Sequence, residues 1–270
     1  MRYRESTPSP RLAEYIKLFW SLEYVPAGYG EIESVLPDGC PEMVFNLSDR
    51  FTRLCGDSEE LQPATLFAGQ MSRKISIRPS GKVCLFGVRF HPAGSHPLSR
   101  FPMRELNDEI LEVETFIGRD GVELEERVNL AQGFNERVSL FQGFFSKRLA
   151  AANLNTVSTR AVRTIVKMDG SISVAALADQ VGSSERALER AFRRDVGISP
   201  KMLARIVRFQ ALINLIQKTK TPGSLDASLE LGYFDQSHAI HDFREFAGMT
   251  PLGYFQSTHG VSDLFTGSHL

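Results

Sequence analysis

At 270 residues the chain is longer than a typical single domain, so two domains are expected. A net charge of -1 with 42% hydrophobic residues excludes both a strongly basic chain and an acidic disordered one. The three scattered cysteines exclude a disulfide framework and indicate reduced thiols. The N-terminus has no apolar signal-peptide core, and no window approaches the roughly 18 apolar residues of a membrane span. We therefore expect a soluble cytoplasmic protein.

The first ninety residues contain a series of short strand-like segments. After a polar arm, residues 10–18 are predicted as a helix and residues 19–25 as a strand. The further predicted strands are residues 32–36, 42–47, 64–68, 75–78 and 83–90. Turn signals such as Pro37-Asp38-Gly39 separate them. Short strands at this spacing predict an antiparallel barrel or sandwich, for which a cupin-like fold is one option.

Beyond His91-Pro92 the pattern becomes helical. Helices are predicted at residues 110–116, 121–130 and 134–152. They would form a bridge at the end of a β-rich domain spanning residues 1–155. The overall fold class is therefore α+β, with an all-α domain at residues 156–270.

One group of residues in the N-terminal half suggests a pocket for a small organic effector. Its aromatic density exceeds what a sheet of this size needs to fill itself, although the rings could simply form the core. These rings are Phe19, Trp20, Tyr24, Phe45, Phe67, Phe86 and Phe90. Glu42 and Arg89 lie among apolar neighbours and could serve as polar anchors. The candidate effector-binding residues are Trp20, Glu42 and Arg89.

The same half offers little for metal binding. Its only histidines, His91 and His96, both lie beside proline, so we expect neither a metal nor another cofactor. Cys40 lies in a proline-flanked turn. It is either a redox sensor or a small buried hydrophobe.

The C-terminal half contains an internal repeat about 50 residues apart. In each copy an apolar residue precedes a glycine, at Gly182 and Gly232, where a sharp turn is expected. A phenylalanine then lies five residues before a second glycine, at Phe192 and at Phe243. An apolar residue, a hydroxyl residue and a proline follow that glycine in both copies. This repeated pattern predicts two helix-turn-helix units in tandem.

Each predicted unit consists of a first helix and a recognition helix. A scaffold helix is predicted at residues 156–168. The first helix of the first unit follows at residues 173–181, and Ser184 caps the recognition helix of that unit. A long helix at residues 201–218 would join the units and set their separation. In the second unit, residues 225–231 would precede a recognition helix capped by Asp235 and ended by Gly248.

The outward faces of both recognition helices have the chemistry of DNA contact. Ala187, Leu188, Ala191 and Phe192 point inward, so Arg186, Glu189, Arg190 and Arg193 share an exposed strip. Arginine grips guanine bidentately, while Glu189 either accepts from cytosine or orients a neighbouring arginine. In the second helix the predicted outer residues are Gln236, Ser237, His238, His241, Asp242, Arg244 and Glu245. His238 has a capping or core role as its alternative.

The segments GYFDQSH and FxxxxGMTP, with the tandem repeat over residues 157–256, resemble the AraC/XylS family of bacterial transcription regulators. Ala239 departs from the family, which usually has an aromatic residue there. LPDGCPEMVFNL and LFGVRFHPAG resemble an uncharacterised domain fused to a subset of that family. The resemblance implies base contacts from Arg186, Glu189, Arg190, Gln236, Ser237, His238 and His241. Arg193, Arg194 and Arg244 complete the predicted DNA-binding set.

The implied function is a sequence-specific transcription regulator whose N-terminal domain senses an effector or mediates pairing. Double-stranded DNA, RNA polymerase and a second copy of the chain are the implied partners, with no membrane. We expect no enzymatic activity. The alternative is an enzyme fused to an AraC-like module, but the Pro-Cys-His-Arg motif of a DNA-repair alkyltransferase does not occur in the sequence.

Overall fold

The computed structural model describes residues 1–26, 31–150, 152, 156–219 and 228–256. Its N-terminal part contains ten strands. They are β1 Arg2–Ser6, β2 Ile16–Tyr24, β3 Glu33–Val35, β4 Glu42–Asn46, β5 Phe51–Cys55, β6 Ser58–Leu61, β7 Thr65–Ala68, β8 Ile75–Pro79, β9 Val83–Phe90 and β10 Ile110–Glu112. All their pairings are antiparallel, as expected from the short connections.

The strands form two sheets. The larger has the order β1-β2-β9-β4-β7-β10 and the smaller the order β3-β8-β5-β6. Side chains from both sheets form one apolar cluster, in which Leu18, Trp20 and Leu85 of the larger sheet meet Phe51 and Ile77 of the smaller. Both sheets remain open, so the domain is a sandwich of two sheets and not a closed barrel.

Three helices cover the other face of the larger sheet. They are α1 Val113–Ile117, α2 Asp120–Leu130 and α3 Phe134–Arg148. Phenylalanines dominate this core, where Phe141 of α3 packs against Phe45 at 5.2 Å and Phe86 at 5.1 Å between ring centroids. Since strands place successive side chains on opposite faces, β2 sends Phe19 to the helices and Trp20 to the second sheet.

The predicted helix at residues 10–18 is wrong. A short turn follows Ser9, whose carbonyl accepts from Leu12 and Ala13, and strand β2 begins at Ile16. Strand β2 pairs with β9 along its length, so tertiary pairing overrides the local helical pattern. The polar arm at residues 2–6 is likewise a strand, paired with β2. The helix expected to begin at residue 110 begins at Val113, after strand β10.

The C-terminal part is helical in its described residues. Its helices are α4 Val157–Lys167, α5 Val174–Gln180, α6 Glu185–Asp195, α7 Pro200–Thr219, α8 Gln236–Ala247 and α9 Pro251–Gln256. Residues 225–227 of the helix predicted at residues 225–231 lie outside the described residues, and residues 228–231 form a short 3-10 turn. No helix in the described part of the chain is long and apolar enough to cross a membrane.

The N-terminal sandwich and the C-terminal helices are in direct contact. Gln210 of α7 is buried and donates its side-chain amide to the Pro37 carbonyl at 2.6 Å. The Lys74 amide donates to the Phe246 carbonyl at the end of α8 (3.1 Å). The Asn107 side chain donates to the Gly197 carbonyl just after α6 (2.8 Å). Three separate segments of the sandwich therefore touch α6, α7 and α8.

Candidate nucleic-acid interface

The two units of the repeat present equivalent recognition helices, α6 and α8. Ser184 caps α6 by accepting from the Ala187 amide, and Asp235 caps α8 by accepting from the His238 amide at 2.7 Å. Each helix follows a turn at a glycine with positive φ, 67° at Gly182 and 81° at Gly232. A side chain with a Cβ would be strained at such an angle. These local features confirm the turns and caps predicted from the sequence.

Helix α6 carries a cationic strip. Arg186, Arg190 and Arg193 are all exposed, at positions that follow one another along one helical face. Leu188 and Phe192 are fully buried on the opposite face and fix the rotation of the helix. The strip is therefore available to phosphates and base edges.

Glu189, on the same helix, is half-buried. It forms no ion pair with Arg186 or Arg193 in the described structure. Both interpretations of Glu189, base contact and arginine orientation, stay open.

Arg194 differs from the other arginines of α6 because it is tied to its neighbour. Its Nε donates to Asp195 Oδ1 at 2.6 Å and its Nη2 to Oδ2 at 2.9 Å. Asp195 is buried and also accepts from Ser158 of α4 at 2.6 Å. His96 of the sandwich places Nε2 3.1 Å from the same carboxylate. Burial opposes ionisation of Asp195, but the hydrogen bonds from Arg194 and Ser158 lower its pKa. Asp195 thus joins two helices and the sandwich, and Arg194 is partly committed to it.

Helix α8 presents Gln236, Ser237, His241 and Arg244 to solvent. His238 is half-buried, with its ring edge-on to Tyr233 at 5.2 Å and its Nδ1 3.4 Å from the Phe234 amide. These contacts favour a packing role for His238, the alternative considered from the sequence. The first two residues of α8 are at the helix end that enters a major groove in helix-turn-helix proteins.

The prediction that Asp242 lies on the outer face is wrong. Asp242 is only 1% exposed, and Arg205 of α7 donates to its Oδ1 from Nη2 at 2.7 Å and Nε at 3.2 Å. Asp242 follows Ala239 by three residues and precedes Phe246 by four, which places it on the buried stripe. The same guanidinium bonds Glu245 at 2.6 Å and lies over the Phe246 ring at 5.0 Å. Arg205 therefore holds α8 against α7.

His241, Asp242 and Glu245 bring ligand atoms within 4.8 Å of one another, a spacing that could hold a metal ion. Arg205 already supplies a cation to both carboxylates. The cluster is therefore explained as the anchor of α8. The role of Arg205 in this cluster, and that of Asp195 at the junction of α4, α6 and His96, were missed because no sequence pattern connects either residue with its distant partners.

The candidate effector residues lie together in the sandwich. A cavity of about 100 Å³ between the two sheets is walled by Trp20, Leu66, Leu85, Ile77 and other apolar side chains, and Glu42 also lines it. A second space of about 60 Å³ adjoins it and shares Glu42. Arg89, Asp38 and Gln210 line that second space.

Arg89 is a buried cation shared by two carboxylates. Its Nη1 donates to Glu42 Oε1 at 2.5 Å, and its Nη2 contacts Asp38 Oδ2. The pairing follows from the strand register, in which Glu42 of β4 stands opposite Arg89 of β9. Burial raises the pKa of Glu42 to about 8, against an opposing effect of Lys17, and burial lowers the pKa of Arg89 to about 10. Both polar anchors expected from the sequence therefore point inward.

Most of the aromatic residues have a structural role. The five phenylalanines of the candidate group pack toward α1, α2 and α3, on the sheet face away from the cavity. Trp20 alone among those rings lines the cavity between the sheets. The surplus of rings is thus the core of the helix-covered face.

Cys40 is buried, and burial raises the pKa of its thiol to about 11. A thiol of this kind is protonated at neutral pH and a poor nucleophile. Its environment favours the small buried hydrophobe over the redox sensor.

Two family models match parts of this chain. Residues 177–257 match a family described as a helix-turn-helix domain, and residues 4–112 match a domain of unknown function (DUF6597). No curated protein matches the chain.

Among solved structures, an apo ToxT variant from Vibrio cholerae strain SCE256 aligns over 93% of this chain and 98% of its own, at 13% identity and a TM-score of 0.49. Wild-type ToxT of that strain bound to an unsaturated fatty acid aligns over 90% and 97%, at 12% identity and a TM-score of 0.48. The AraC-like transcriptional activator CuxR aligns over 78% and 85%, at 14% identity and a TM-score of 0.32.

The matched helix-turn-helix range covers both recognition helices and the helix that joins them. The helix-turn-helix domain predicted from the repeat is therefore confirmed. Residues 177–257 thus form a helix-turn-helix domain of the AraC type, behind an N-terminal domain of unknown function.

Proposed function

We propose that the chain is a sequence-specific transcription regulator that inserts α6 and α8 into successive major-groove segments of one duplex. The observation that carries this proposal is the pair of equivalent, capped recognition helices held by one 20-residue helix, α7. A continuous helix of that length fixes the separation of the two units. The target should therefore have two short elements at a fixed spacing.

Each recognition helix has a set of proposed contacts. In α6, Arg186 and Arg190 contact bases with Glu189, while Arg193 and Arg194 contact phosphates. In α8, Gln236 and Ser237 at the helix start contact bases, and His241 and Arg244 extend the surface. His238 acts chiefly by holding Tyr233. The basic strip on α6 provides electrostatic attraction to the duplex, which weakens with salt.

The N-terminal sandwich, assigned to residues 1–155, is proposed to regulate the DNA-binding domain at residues 156–270 through a small effector. Support comes from the cavity between the sheets, which has apolar walls and a polar end at Glu42. The neighbouring space is also lined by Gln210 of α7, so the cavity region reaches the helix that joins the two units. RNA polymerase and a second copy of the chain complete the proposed partners, in the cytoplasm.

The enzyme alternative, a DNA-repair alkyltransferase, would need a reactive cysteine thiol. Cys40 is unsuited to act as the nucleophile of an alkyltransferase, because its thiol is buried and has a raised pKa.

Selection of duplexes from a randomised pool by the full-length chain tests the DNA proposal. We expect an enriched site with two elements, and footprinting should show protection of both. Arg190→Ala should relax one base position, while Arg127→Ala on α2, an exposed arginine of the sandwich, serves as the matched control. A pool without enrichment at moderate salt would overturn the proposal.

A further inference from the structure

The inter-sheet cavity has an unusual distribution of polarity. Among the described residues that line it, Glu42 is the one ionisable side chain. Asn46 and Gln62 are its polar amides, and the Asn46 side chain already bonds the Asp49 carbonyl and the Ser48 amide. A ligand in this cavity would therefore meet apolar walls on most sides and a carboxyl group at one end.

The size of the cavity limits its occupant. Spaces of about 100 Å³ and about 60 Å³ adjoin and share Glu42, Val35, Ala68 and Ile75. A dry apolar cavity of roughly 150 Å³ holds one benzene molecule. The 100 Å³ space is smaller than this, so a ring with a small head group would also occupy the adjoining space beside Arg89.

The wall formed by Trp20 is built into the sheet. Gly87 stands opposite Trp20 in the pairing of β2 with β9. A Cβ at residue 87 would come within 2.1 Å of the indole ring. The absence of a side chain there allows the indole to lie flat over β9 and form an apolar side of the cavity.

The charges around Glu42 determine which head group fits. Arg89 contacts Glu42 but is shared with Asp38, so one guanidinium serves two carboxylates. Lys17 on β2 is the other nearby cation, and burial lowers its pKa. Arg89 and Lys17 thus already face two carboxylates, those of Glu42 and Asp38. An anionic head group placed against the Glu42 carboxyl would be desolvated beside a second acid, which is costly.

We propose that this cavity binds a ring-sized apolar molecule with one hydrogen-bond-donating head group, an alcohol, phenol or amine, directed at Glu42. Carboxylates of the same size are excluded. This inference rests on the proposed effector role of the sandwich and specifies the chemical class of the effector.

Two segments that line the cavity region also contact the DNA-binding helices. One wall segment, residues 35–42, provides the Pro37 carbonyl to Gln210 and places Gly39 against Leu203 of α7. Another, residues 68–75, provides the Lys74 amide to Phe246 of α8. Ligand that displaces either wall would act directly on α7 or α8.

The chain contains a single tryptophan, and it lines the cavity, so intrinsic fluorescence reports occupancy without a label. The full-length protein is titrated with benzyl alcohol, benzylamine, toluene and benzoate, with calorimetry as a second readout. We expect benzyl alcohol and benzylamine to perturb Trp20 and to bind at least about tenfold more tightly than benzoate, because only benzoate desolvates an anion beside Glu42. Toluene should bind more weakly than the two donors.

Two variants test the role of the carboxyl. Glu42→Gln removes the acid but keeps a hydrogen-bond acceptor. This variant should still bind benzyl alcohol, but it should no longer bind benzylamine more tightly than benzoate. Val44→Phe fills the cavity and should abolish binding of all four compounds. Where a variant fails to fold, the ranking of the four probes on the wild type remains the deciding measurement.

Equal binding of benzoate and benzyl alcohol would overturn the inference, as would the absence of any response of Trp20. The same preparation is tested for site selection on DNA. Site selection without the donor preference means that the ligand class is wrong while the regulator stands. A donor preference without site selection means that the DNA proposal is wrong while the ligand site stands.

Discussion

Replacing Arg205 by methionine should destabilise the second helix-turn-helix unit strongly. Arg205 bonds Asp242 through two nitrogens, and the Asp242 carboxylate is 1% exposed. Methionine keeps most of the apolar stem that packs near Phe246 but removes the guanidinium. Asp242 would then be a buried charge without its cation.

The expected magnitude follows from that geometry. Removing one partner of a buried ion pair costs about 3–5 kcal/mol. The contact of Arg205 with Glu245 adds little, because Glu245 is 39% exposed and solvent screens the pair. Asp242→Asn should cost less, since the amide oxygen still accepts from Arg205. Arg205→Met combined with Asp242→Leu should recover part of the loss, because no buried charge remains.

Urea denaturation and amide hydrogen exchange of α8 measure this effect. Arg193→Met on α6 is the matched control, an exposed arginine whose replacement should change stability by less than about 0.5 kcal/mol. Footprinting should show that Arg205→Met weakens protection of the DNA element contacted by α8 more than protection of the element contacted by α6. An unchanged urea midpoint for Arg205→Met, or an equal loss of stability in Arg205→Met and Arg193→Met, would refute the anchoring role.

Further predictions concern the DNA surface and the cavity. Arg190→Ala should cost about 1–3 kcal/mol at one base position, whereas Arg193→Ala should weaken all sequences evenly, as selection on randomised sites would show. DNA affinity should fall steeply with salt concentration in equilibrium titrations. Since the folded pKa of Glu42 is raised from 4.5 to about 8, the native state should lose stability as pH rises through this window, and Glu42→Gln should flatten that loss in urea melts. Gly87→Ala forces the Trp20 ring to move and should cost about 1–3 kcal/mol in the same melts.

The tandem repeat could be predicted because its determinants are local. Ser184 and Asp235 cap their helices through amides three residues away, and Gly232 adopts the positive φ that its turn requires. Such features depend on neighbours within one turn of the chain, so they appear in the sequence as fixed spacings.

The sandwich was harder to predict because its strands depend on distant partners. Residues 16–18 look helical in isolation, but pairing with β9 extends them into β2. Strand β6 is exposed throughout, so no apolar alternation marks it. The alternation of Phe19 and Trp20 is visible, yet only the positions of α1–α3 decide which face is core and which lines a cavity.

The burial of Asp242 could not be predicted from the sequence for a third reason. A charged residue is rarely buried, so its position on the apolar stripe was outweighed by its residue type. The compensating Arg205 lies 37 residues earlier on another helix, and no pattern in the sequence connects the two.

The contacts between the sandwich and the recognition helices explain how one ligand could change DNA selectivity. A ligand shifts an equilibrium only by its differential affinity for two conformations, and coupling of about 1–3 kcal/mol is typical. The segments that contact α7 and α8 also line the cavity region, whereas His96 and Asn107, which contact α6 and its end, do not. Occupancy would therefore act on α8 and the connecting helix while α6 keeps its own attachment to the sandwich. We expect the effector to change the affinity for the DNA element contacted by α8 more than the affinity for the element contacted by α6, as titration of duplexes altered in one element at a time would show.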